Sequence, residues 1–173
     1  MAEIKSTIDL IMERTKNLSA SPREREAYQR REREKHIRGL VQRLLDDSLS
    51  LDSVKDELTK EKKNGQEAEV MAFLKEALAL HVDPEADNER LFRIVNELVG
   101  TPEYRLRETL LACQAEFSGW QTGQLERQKK ELETTGVSGS AVVPNPELDP
   151  QWKARREQAQ EACTNSFLGV INS

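Results

Sequence analysis

Ile4, Ile8, Ile11, Thr15 and Leu18 recur at steps of 4, 3, 4 and 3. That is the heptad seam of an amphipathic helix, and it predicts a first helix over residues 3–18. "NLSAS" ends the pattern. Ser21-Pro22 then opens a second helix reaching about Leu45. Ser21 is placed to cap free amides, Pro22 suits the first helical position, and Glu24 sits where a capping-box acid belongs. Only the C-terminal half of this helix has an apolar stripe, made of Ile37, Leu40, Val41, Leu44 and Leu45.

Beyond the break at "DDSLSLDS", Ser50 caps a short helix with Leu51, Val54 and Leu58, which stops at "KKNG". Val70, Phe73, Leu74, Ala77 and Leu78 share one face of a helix near 66–81. Leu91, Ile94, Val95 and Leu98 do the same near 87–99, where Gly100 supplies the C-terminal stop. Thr101-Pro102 repeats the cap-plus-proline signal. Leu106, Leu110, Cys113, Phe117 and Trp120 again step by 4, 3, 4 and 3, and this seam ends where it would next meet Gln124, Arg127 and Glu131. Trp120, at the end of the seam, reads as a core residue or as an interface anchor. Gly119 and Gly123, four apart, imply either close packing by another helix or a kink. Thr134 to Pro150 is rich in glycine, serine and proline and reads as a linker. Asp149-Pro150 opens a last helix with a sparse stripe of Trp152, Ala159 and Cys163, followed by a mildly apolar tail, "NSFLGVINS".

The expected fold is therefore all-α: an elongated helical bundle with an N-terminal helical arm and a C-terminal helix after a flexible linker. The expected divisions are an N-terminal helix pair (1–48), a bundle core (49–134), the linker (135–150) and the C-terminal helix with its tail (151–173).

Composition narrows this picture. Charged residues make up 33% of the 173, against 5% aromatics. Leu, Ile, Val and Phe together reach about 23%, just above the roughly 20% below which chains tend to stay unfolded. A thin core suits helices, each of which needs only one apolar stripe. No apolar run has the length of a membrane span, and the N-terminus lacks the continuous apolar core of a signal peptide. Two cysteines make neither a disulfide framework nor a zinc set, so Cys113 and Cys163 are expected as reduced thiols in a cytoplasmic protein.

Net charge is −5 but uneven, with 11 Lys/Arg against 9 Asp/Glu in residues 1–48 and 15 against 22 in the remainder. Residues 22–38 hold seven basic side chains and four glutamates. On a helix, Glu26–Arg30 and Glu34–Arg38 are i,i+4 pairs in the favourable orientation. The acids thus neutralise the arginines, whereas phosphate binding wants unpaired cations facing one way. A solvated or partner-facing helix is the leading reading, and nucleic-acid contact through Arg30, Arg31 and Arg33 is the alternative.

Catalytic patterns are not found. His36 and His81 lack the Glu-x-x-His spacing of di-iron bundles. There is no phosphate-binding loop and no nucleophile elbow, so no cofactor, metal or catalytic residue is expected. An enzyme with a site between helices ranks last.

The opening "AEIKSTIDLIMERTKNL" resembles the N-terminal segment of small helical bacterial proteins of uncharacterised function. The resemblance implies a helical start and a bacterial, cytoplasmic setting. The expectation is a non-enzymatic interaction or scaffold protein acting as a homo-oligomer, most simply a dimer, or meeting another protein. Its contacts would be the coiled-coil seam Ile4, Ile8, Ile11 and Leu18, together with Trp120.

Overall fold

The computed structural model describes residues 21–62, 66–139, 142–146 and 150–173. The expected first helix and its seam residues Ile4, Ile8, Ile11 and Leu18 lie outside the described residues. Among the described residues the chain is an all-α bundle: α1 (Pro22–Leu45), α2 (Leu51–Lys62), α3 (Glu67–Ala79), α4 (Glu89–Val99), α5 (Glu103–Thr134) and α6 (Pro150–Asn172). The chain divides inside α1 into two units, residues 1–36 and 37–173.

In the first unit, the start of α1 is set by the expected capping box. The Ser21 amide donates to Glu24 Oε2 at 2.6 Å, and the Glu24 amide donates to Ser21 Oγ at 3.3 Å. The bond from the Ser21 amide holds the Glu24 carboxyl below its usual pKa. Every residue from 21 to 32 is exposed. These turns begin in a capping box and bury no side chain from residue 21 to 32, so packing contributes little to them.

In the second unit, α1 supplies Ile37, Leu40, Val41 and Leu44, all buried at the positions the stripe predicts. The helix closes in a Schellman turn: the Ser48 amide donates to the Arg43 carbonyl at 2.9 Å, and Asp47 sits in the left-handed region at φ 60°. A non-glycine residue there is unusual. Arg90 of α4 braces it, with Nη2 donating to the Leu44 carbonyl at 2.6 Å and both guanidinium nitrogens meeting the Asp47 carboxylate.

The core of this unit gathers Val54 and Leu58 of α2, Val70, Phe73, Leu74 and Leu78 of α3, Leu91, Phe92 and Val95 of α4, and Leu106 and Leu110 of α5. Asn88 pins the loop between α3 and α4 from inside. Its Oδ1 accepts from the Asp83 amide at 3.0 Å, while Nδ2 donates to the carbonyls of Asp83 (2.7 Å) and Ala86 (2.8 Å). Gly100 ends α4 at φ 86°, as its position predicts. Helix α5 then starts one residue later than the Thr101 cap signal implies: Pro102 is its N-cap, with no side-chain cap bond, and Thr101 is buried instead. The 32-residue α5 ends in a second Schellman turn, where the Val137 amide reaches the Leu132 carbonyl at 3.0 Å and Gly136 takes φ 85°.

Helix α6 docks on its own chain and lies antiparallel to α5. Cys163, Phe167 and Ile171, four residues apart, are buried in the core, and Phe167 stacks on Phe92 with ring centroids 5.9 Å apart. The segment expected as a mildly apolar tail is thus the anchor of the last helix. The expectation of two free thiols is also corrected: Cys113 of α5 and Cys163 of α6 form a disulfide, with their Cα atoms 5.6 Å apart. The bond closes a loop across a sequence separation of 50, which in the chain-entropy view restricts the unfolded state by about 4 kcal/mol.

Candidate functional site

The α5–α6 pair builds a groove from a periodic face. Cys113, Phe117 and Trp120 step by 4 and 3 along α5 and meet Ala159, Ala162 and Cys163 of α6. Small residues on α6 leave room opposite the large rings of α5, so the groove encloses about 530 Å³. Glu116, Arg155, Gln158 and Ser166 form its polar rim. Trp120 contacts Phe117 at a centroid distance of 5.7 Å and Trp152 at 4.6 Å. Its indole Nε1 is buried and meets no hydrogen-bond acceptor among the described residues. Trp120 is therefore half-buried within its own chain, at the seam end that its spacing predicts.

Gly119 and Gly123 do not mark close helix packing. A Cβ at either position would meet nothing within 4 Å. The seam also runs further than its apolar pattern indicates, because Gln124 is 6% exposed. Gln124 and Gln128 line a second cleft of about 750 Å³ with Arg127, Leu132, Val143 and Asn145. Polar residues at seam positions carried no apolar signal, and the clue lay in their register.

A third cleft, of about 850 Å³, lies where the α3–α4 loop meets α6. His81, Asp83, Lys153, Glu157 and Thr164 line it. Arg156 pairs with Glu85 across it, and Gln160 Nε2 donates to the Val82 carbonyl. Partial desolvation lowers the His81 pKa, against the opposing pull of Asp46. Among the described residues no group of three or more His, Cys, Asp or Glu side chains is placed to hold a metal ion, and no helix is long and apolar enough to cross a membrane.

The charged face of α1 is a separate surface in the first unit. Arg30 and Arg31 are exposed and Arg33 is half-buried. Arg30, Arg33 and Glu34 each have an interaction partner. Tyr28 is 66% exposed, the one large ring on these turns.

Comparison of the chain with protein-family models, curated proteins and solved structures finds no match.

Proposed function

We propose that the protein is a non-enzymatic interaction or scaffold protein that works as a homodimer through its N-terminal helices. One observation carries the reading: the turns of α1 from residue 22 to 32 hold a helix while burying nothing. A helix that is polar all round generally bridges through solvent or serves a partner. The occupant that fits is a second copy. The face bears both signs of charge in close alternation and so complements itself, and the chain just before it carries the 4-3-4-3 seam of Ile4, Ile8, Ile11 and Leu18. Long arginine stems would cover apolar surface of the partner copy while their heads stay wet. Trp120 joins this reading as a further contact residue.

Light scattering after size exclusion, over a range of concentrations, tests the proposal. We expect a dimer of the 19.7 kDa chain, and a monomer in the Ile8→Asp/Ile11→Asp variant. A wild-type monomer at every concentration, or an unchanged mass in the variant, refutes it. The exposure of Arg30 and Arg31 supports a second reading, a nucleic-acid-associated regulator. It requires retention on DNA or RNA at about 50 mM salt that weakens steeply as salt rises.

The bacterial, cytoplasmic setting implied by the N-terminal resemblance belongs to the leading reading. In a reducing cytoplasm a permanent disulfide is unusual, so that setting requires a Cys113–Cys163 pair that opens and closes.

A further inference from the structure

The two halves of α6 are held very differently. From Cys163 onward, Phe167 and Ile171 are buried, and Phe167 stacks on Phe92. From residue 151 to 162 no side chain is fully buried. That half is held by the Trp152 ring on Trp120, by the exposed Arg156–Glu85 pair, and by the Gln160 bond to the Val82 carbonyl. An exposed ion pair contributes little, and a helical segment of that length is marginal in water without packing. The disulfide sits at the junction of the two halves. Closed, it ties α6 to the middle of α5 and makes a ring of the chain between them, which limits what the linker and the first half of α6 gain by coming loose.

We propose that the Cys113–Cys163 disulfide is a redox latch: its reduction releases the first half of α6 and uncovers Phe117 and Trp120, while the second half stays docked. The reductant is a dithiol, which reaches the bond through the groove that both cysteines line. Its thiolate attacks Sγ of Cys113, the less buried of the two. A mixed disulfide forms there, and the protein S–S bond breaks with its electron pair on Cys163 Sγ, which takes up a proton. The second thiol of the reductant, deprotonated, then attacks its own chain's sulfur in the mixed disulfide. The reductant leaves as a cyclic disulfide and Cys113 is left as a thiol. Two electrons and two protons pass to the protein. Cys163 remains in the core as a small apolar residue.

The full chain reports on this directly, because its two tryptophans, Trp120 and Trp152, both lie at the latch. Amide hydrogen exchange and tryptophan emission are compared for the oxidised protein, the protein in dithiothreitol, and a Cys113→Ser variant without reductant. In dithiothreitol we expect exchange over residues 152–162 to rise by about tenfold or more, with a red-shifted emission and protection kept over 168–171. Cys113→Ser should match this pattern without reductant. Unchanged exchange over 152–162 in the reduced protein overturns the proposal, and so does loss of protection over 168–171 as well. Two thiols that still alkylate fully after treatment with a thiol oxidant also overturn it, since the bond would then not form.

Discussion

Replacing Phe167 by alanine tests the docking of α6 at its strongest point. The side chain is 0% exposed, packed in the core and stacked on Phe92. Truncating a buried phenylalanine costs about 3–5 kcal/mol, a transfer contribution plus that of the cavity left behind. The ring pair accounts for about 0.5–1.5 kcal/mol of this. For a chain of this size the loss corresponds to a fall in Tm of about 8–16 °C. The assay is urea unfolding of the oxidised protein followed by circular dichroism, with Val143→Ala as control. Val143 is 85% exposed, and that substitution should change stability by less than about 0.5 kcal/mol. Keeping the disulfide closed in both samples holds its restriction of the unfolded chain constant. The midpoint of Phe167→Ala should fall with the slope unchanged. A loss below about 1 kcal/mol refutes the reasoning, because it would mean that α6 does not complete the core.

Three further outcomes follow from the turns and caps. Gly100→Ala should destabilise by about 1–2 kcal/mol in a thermal melt: a Cβ there meets nothing within 4 Å, so the cost is that of an L-residue at φ 86°. Asn88→Ala removes three bonds that pin the α3–α4 loop and should cost about 2–4 kcal/mol, with faster amide exchange over residues 83–88; exchange at the wild-type rate would count against the pinning role. The hydrogen bond from Arg90 holds the Asp47 carboxyl below its usual pKa. A lowered carboxylate pKa stabilises the fold above the unfolded-state value, and that contribution is lost as pH falls through the folded-state value. Asp47→Asn should therefore have a lower Tm than wild type at neutral pH and converge with it in strong acid. A constant gap across the titration would refute that link.

Local order was legible in the chain because its causes are local. The Ser21–Glu24 box, the Ser50 cap, the glycine stop at Gly100 and the stripes of α1 to α5 all follow from neighbours a few residues apart, and the structure places them where spacing predicts. The register of α6 against α5 has no such cause. Cys113 and Cys163 each lie on an apolar face, but only antiparallel docking brings their Cα atoms to 5.6 Å. Read as isolated residues in a hydrophilic chain, they looked like free thiols. The "NSFLGVINS" segment looked like a tail because its two anchors, Phe167 and Ile171, stand among polar and small residues. Their weight comes from Phe92 on a distant helix. Gln124 was missed for the converse reason: a polar side chain at a seam position gives no apolar signal, and only the fold shows it buried, beside a cleft that Val143 and Asn145 also line. Spacing along the chain determined which residues become helical and which face each helix buries. Packing between segments far apart in sequence decided which faces meet, and with them the disulfide, the aromatic groove and the two unequal halves of α6.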